Sequence, residues 1–102
     1  MKSGKNPTWS GVLGTLRGSR VQLRRYGVKR LGLFGSVARG GARKGSDLDF
    51  IVELERKTFD DYMGLKFFLE ATFHRKVDLV MADAIKAPLR ARILREVRYA
   101  GL

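Results

Sequence analysis

Three pieces of this 102-residue chain could do chemistry together: Gly35-Ser36, Asp47-Leu48-Asp49 after a gap of ten residues, and Asp78 within Val77-Asp78-Leu79-Val80. An Asp-x-Asp on a β-strand turns both carboxylates to one face, because side chains alternate with period 2. Their Cβ atoms then lie roughly 6–7 Å apart. Two like charges converging on one spot are costly unless a cation neutralises them. Hard divalent ions such as Mg²⁺ accept oxygen ligands of this kind and complete their shells with water and substrate phosphates. Gly35-Ser36 closes an apolar run, where a turning chain can offer backbone N–H groups to a phosphate. A metal-holding half beside a phosphate-holding half points to phosphoryl or nucleotidyl transfer.

Each piece alone is weak. Loop carboxylates two residues apart are common, and most Gly-Ser pairs are merely turns. Asp78 is more telling, since a carboxylate within a short apolar strand must be paired, ligated or at a sheet edge. The signal lies in the combination, with each piece on the right kind of segment.

Those segments can be read from periodicity. Ser10 to Tyr26 carries Leu13, Leu16 and Leu23 as a helical stripe, weakened by Gly11, Gly14 and Gly18, with Gly27 suited to a C-cap. Val28 to Phe34 reads as a first strand, followed by a turn over Gly35 to Gly41 and a basic loop from Ala42 to Ser46. Asp47 to Leu54 alternates as a second strand, with Leu48, Phe50 and Val52 on one face and Asp47, Asp49, Ile51 and Glu53 on the other. Thr58 caps a helix running to about His74, whose buried side is Tyr62, Leu65, Leu69 and Phe73. Val77 to Met81 is a third strand. Asp83 opens a last helical segment, with Pro88 in the first turn of its main part and Leu89, Ile93 and Val97 at i, i+4, i+8.

The predicted order is α-β-(short α)-β-α-β-α, a small mixed sheet flanked by helices. A right-handed crossover makes the second and third strands parallel. The first two must run antiparallel for Gly35-Ser36 to reach the Asp-x-Asp. Asp78 then falls at the same pole. His74, at a helix C-terminus, reads as structural. Trp9 is expected to pack on the core or a partner, and Phe67, Phe68 and Phe73 in the core.

Length allows one domain, here residues 9–102 behind a flexible tail over 1–8. With no cysteine there is neither a disulfide framework nor a thiolate metal site. Nothing reads as a membrane span or signal peptide, so the expectation is a cytoplasmic protein. The net charge of +11 predicts affinity for polyanions, whether nucleotide phosphates, nucleic acid or an acidic protein surface. No helix-turn-helix, zinc or RNA-binding signature accompanies that charge, which makes nucleic acid a secondary partner.

Gly35-Ser36-x10-Asp47-x-Asp49, with Ala38-Arg39-Gly40 after the serine and Val77-Asp78-Leu79-Val80 later, resembles the minimal nucleotidyltransferases of the DNA polymerase β superfamily. Within that group the chain is similar to the antitoxin partner of HEPN-type ribonuclease toxins. The resemblance runs from about Leu31 through the C-terminal Leu89-Arg90-x-Arg92-Ile93-Leu94-Arg95-Glu96 segment. It implies an α/β polymerase-β-like core and transfer of AMP from ATP to a protein hydroxyl, a tyrosine on a cognate HEPN toxin. By the same resemblance Gly35 and Ser36 bind the triphosphate, and Asp47, Asp49 and Asp78 hold two Mg²⁺ ions. Two such ions about 3.5–4 Å apart clamp the attacking and leaving oxygens. Asp78 would complete the metal nearest the nucleophile and could accept the nucleophile's proton, directly or through water. Arg39, Arg43 and Lys44, between the turn and the Asp-x-Asp, could contact the pyrophosphate or the acceptor; Arg43 and Lys44 fit a solvated basic loop equally well, and Arg39 can instead pin the turn. Two rival readings are a non-catalytic antitoxin or adaptor that acts by binding and a basic nucleic-acid-binding protein.

Overall fold

The computed structural model describes residues 7–41 and 45–102. Helix α1 (Trp9–Gly18) starts at Thr8, whose hydroxyl accepts a hydrogen bond from the Gly11 N–H at 3.1 Å. The single helix expected over 10–26 is two: the chain breaks at Ser19 and resumes as α2 (Arg20–Arg25). Gly18 at the break has little intrinsic helical preference, so the chain can kink and still bury Leu13, Leu16 and Leu23 against the sheet. The tail expectation falls on residues 1–6, outside those described, whereas Thr8 belongs to the first helix as its cap.

Strand β1 (Val28–Phe34) leads into a one-turn helix, α3 (Gly35–Ala38), then β2 (Leu48–Leu54), α4 (Phe59–Phe73) and β3 (Val77–Met81). A 3₁₀ turn over Ala82–Ala84 precedes α5 (Ala87–Glu96), which carries Pro88 in its first turn. A two-residue strand follows, β4 (Arg98–Tyr99). The sheet order is β3-β2-β1-β4, with β2 and β3 parallel and the other pairs antiparallel, so the expected directions hold. The final helix was expected to include Val97. Instead, Val97 turns extended at φ −65, ψ 141, and Arg98 and Tyr99 pair with Leu33 and Gly32. Gly32 admits this close approach, since a Cβ there would lie 2.5 Å from Val97 Cγ2 and 2.9 Å from Tyr99 Cδ1.

The two faces of the sheet are covered unequally. On one, Leu31, Leu33, Leu48, Phe50 and Val52 pack beneath α1, α2 and α4 with Leu16, Leu23, Leu65 and Leu69, all buried. Helix α4 is held at its start by Thr58, whose hydroxyl accepts from the Asp61 N–H, and it ends at His74 in the left-handed region at φ 55. Its outer side carries Phe67, 60% exposed, which corrects the expectation that this ring is core. On the other face a smaller cluster of Ile51, Ala82 and Ile93 seats α5 over the middle of the sheet. Of the stripe expected with Ile93, Leu89 is 51% exposed, whereas Val97 is half-buried and packs against the cluster of Ile51, Ala82 and Ile93. One helix on a four-stranded face leaves both ends of that face open. No helix among the described residues is long and apolar enough to cross a membrane.

Candidate active site

The cleft lies at one open end, where β1 finishes and β2 begins. Antiparallel pairing sets Phe34 opposite Asp49, so the Gly35 corner falls beside that carboxylate. Gly35 has φ 79, and a Cβ built on it would sit 2.1 Å from Asp49 Oδ2. Only a residue without a Cβ lets the backbone turn there and press against the aspartate. From the corner, α3 buries Val37 and Ala38 in the main core and ends at Arg39. The Gly41 N–H closes the turn on the Ser36 carbonyl at 2.9 Å.

Across β2, parallel register makes Asp49 and Asp78 direct neighbours. Directly paired residues on adjacent strands project to the same side. Asp47, two residues before Asp49 and exposed, lies just outside the strand, which begins at Leu48 rather than at Asp47. The Arg75 guanidinium donates to the Ser46 carbonyl at 2.9 Å and steadies the approach to this segment. Asp78 is exposed because β3 is an edge strand. The pole predicted from the crossover rule therefore gathers Asp47, Asp49 and Asp78 beside Gly35 and Ser36. Lys44, with Arg43, lies outside the described residues.

Electrostatics report the crowding. Burial, then the charges of Asp78 and Asp47, push the Asp49 carboxyl up to about 6, with Arg39 opposing and Glu96 adding to the rise. A bound cation would relieve the strain of ionising a carboxyl with two like-charged neighbours. Among the described residues no group of three His, Cys, Asp or Glu side chains is already closed up as a metal-holding cluster. The donors nonetheless suit a hard divalent ion: all three are carboxylates, they lie at neighbouring positions at one end of the sheet, and burial together with the other two charges raises the Asp49 carboxyl.

The far wall of the cleft comes from α5. Leu89, Arg92, Ile93 and Glu96, at i, i+3, i+4 and i+7, line a space of about 320 Å³ with Phe34, Gly35, Ser36, Arg39 and Asp49. Glu96 is the residue that sequence reasoning missed. Its Oε2 accepts the Gly35 N–H at 2.8 Å, and Arg39 Nη1 donates to Oε1 at 3.0 Å and Oε2 at 3.2 Å. Burial opposes its ionisation, but the Gly35 N–H, Arg39 and the nearby Arg92 outweigh that and hold the carboxyl below its ordinary value. The available signal was a lone acid among four arginines, Arg90, Arg92, Arg95 and Arg98. Of the other groups, Arg98 donates to the Ala38 carbonyl at 3.0 Å and stacks 4.0 Å from the Trp9 ring centroid, so both hold β4 against α1 and α3.

A mixed sheet with three helices on one face, and with carboxylates at the start of β2 meeting a glycine–serine corner, is the framework of an enzyme that moves nucleotidyl groups. The nucleotidyltransferase domain family matches residues 16–100, and the chain belongs to it. It is 40% identical over 76 residues to the protein adenylyltransferase MntA of Thermococcus cleftensis, covering 74% of this chain and 77% of that one. A solved structure assigned as a minimal nucleotidyltransferase superposes with a TM-score of 0.70 at 41% identity, covering 84% of this chain and 93% of the other. The fold is also shared, at 17% identity and a TM-score of 0.62, with a chain from the complex of a tri-AMPylated Shewanella oneidensis HEPN toxin with MNT antitoxin; that match covers 87% of this chain and 71% of the other.

Proposed function

We propose that this nucleotidyltransferase moves AMP from ATP to a hydroxyl of a protein partner, a tyrosine of a HEPN-type toxin, and acts as that toxin's antitoxin. The observation that carries the reading is the register pairing of Asp49 with Asp78 beside the Gly35-Ser36 corner. The names of the relatives agree with it: one is an adenylyltransferase, and a structural neighbour comes from a complex with an AMPylated HEPN toxin.

In this reading the acceptor hydroxyl oxygen forms a bond to the α-phosphorus, and the bond from that phosphorus to the bridging oxygen of pyrophosphate breaks. Asp78, exposed at the sheet edge, receives the hydroxyl proton. Ser36 and Arg39 face the β- and γ-phosphates, and Arg92 adds positive charge on the α5 side. Asp47, Asp49 and Asp78 would hold Mg²⁺, which when bound neutralises charge on the phosphate oxygens. Positioning and electrostatics do most of the work in such transfers.

The test is incubation with ATP labelled in its α-phosphate, Mg²⁺ and a cognate HEPN protein. Transfer of label by wild type and not by Asp47→Ala/Asp49→Ala is expected, with one or more tyrosines located by mass spectrometry. Toxin neutralisation that survives loss of all three aspartates would replace this reading with a binding antitoxin.

A further inference from the structure

We infer that Glu96 is the positioning residue of the phosphate-binding corner: from the far wall of the cleft it holds the Gly35 backbone and the Arg39 guanidinium in place for the triphosphate. The inference rests on the nucleotide-binding reading above and adds a residue to it. Glu96 lies 61 residues beyond Gly35 in sequence, and it bonds both the corner and the arginine that follows it.

Three features argue for positioning rather than for a surface ion pair. Glu96 touches a backbone N–H as well as a side chain, so it constrains the turn itself. Its own side chain is only 21% exposed, against 54% for Arg39, so the anchor is the better-fixed partner. Only Nη1 of Arg39 is used. Among the described residues Nε and Nη2 have no protein partner, and the planar fork of a guanidinium turns as one piece. Pinning one nitrogen therefore aims the remaining donors.

The same pair keeps Arg39 from a worse partner. Arg39 and Asp49 line the same cleft as Glu96. Released from Glu96, its flexible side chain could swing onto Asp49 and neutralise the carboxylate intended for a cation. Glu96 thus competes with Asp49 for the arginine. Leu89, Arg92 and Ile93 place that competitor, because they carry the α5 face that bounds the cleft.

The test uses the full chain and a fluorescent ATP analogue, with AMP transfer measured alongside. Glu96→Ala should weaken nucleotide binding in EDTA and raise the ATP KM by about tenfold, with kcat at saturating nucleotide within about twofold of wild type. Glu96→Gln, which keeps an oxygen for the Gly35 N–H, should recover part of the loss without restoring the ion pair. In an Arg39→Ala background Glu96→Ala should cost clearly less, since the arginine it aims is gone. Unchanged or tighter nucleotide binding in Glu96→Ala would overturn the inference, the tighter result meaning that Glu96 occupies the phosphate's place. A loss that merely follows the fall in melting temperature, equal in Ala and Gln variants, would overturn it too. Wild type that binds no nucleotide removes the parent reading, and is recognised by failing before any variant is compared.

Discussion

Asp49 and Asp78 are register partners across the parallel pair β2 and β3, so two carboxylates 29 residues apart in sequence stand on neighbouring strands at one height. Burial first, and then the charges of Asp78 and Asp47, push the Asp49 carboxyl up to about 6 from 3.8, a cost the folded chain accepts.

That cost has a pH signature. Between about pH 4 and pH 6 the folded protein keeps the Asp49 proton that the unfolded chain has already released, so this group's contribution to stability falls as pH rises through the window. Full linkage for such a shift is about 3 kcal/mol, and solvent screening of a half-exposed carboxylate reduces it to on the order of 1 kcal/mol. Asp49→Asn should therefore raise the melting temperature of the metal-free protein by about 4–8 °C near neutral pH and by nothing near pH 4. Thermal scans in EDTA across that range check it, and an equal gain at both ends refutes it.

Gly35→Ala should damage both fold and site. A left-handed φ costs a residue with a Cβ about 1–2 kcal/mol, and the new methyl would have to displace the Asp49 carboxylate, whose Oδ2 lies 2.1 Å from where it would go. AMP transfer should fall by about a hundredfold through misplacement of that group. Ser36→Ala, which leaves the backbone turn intact, should retain more activity. Steady-state rates for the two variants, compared with their urea midpoints, separate lost geometry from lost folding.

Arg92 precedes Glu96 by one turn of α5 and lines the cleft. Arg92→Ala should raise the ATP KM severalfold with little change in stability, because an exposed charge contributes little to folding but attracts an anionic substrate. The salt dependence of KM should become shallower than in wild type. A KM and salt slope equal to those of wild type would exclude Arg92 from substrate binding.

Gly32→Val should loosen β4. The added side chain meets Val97 and Tyr99, and overpacking of this kind costs about 1–3 kcal/mol. Since Val97 directly follows Glu96, nucleotide affinity should drop along with the urea midpoint. Full stability in this variant would show that β4 sits elsewhere.

The pole that gathers the three aspartates was legible because it depends on short-range rules. Period-2 alternation puts Asp47 and Asp49 on the face opposite Phe50, and the handedness of one crossover brings Asp78 to the same end. Capping chemistry placed the start of α4 at Thr58 for the same local reason. What escaped was the face on which each residue of a weakly patterned helix would fall. Leu89, Ile93 and Val97 follow a helical repeat, but a single helix crossing a strand face touches it mainly at Ile93. Phe67 shows the same limit on α4, where an aromatic residue lands on the solvent side of a helix already anchored by Leu65 and Leu69.

From residue order alone the chain determined its first three strands, their directions and the end of the sheet at which Gly35, Ser36, Asp47, Asp49 and Asp78 fall, because each follows from neighbours in sequence or from the chirality of one connection. Only the tertiary structure decided what closes the cleft. Glu96 reaches Gly35 and Arg39 because Val97 leaves the helix to pair β4 with β1, and that pairing sets where α5 lies. A contact spanning some sixty residues has no local signature; it exists where packing leaves a carboxylate next to a backbone N–H.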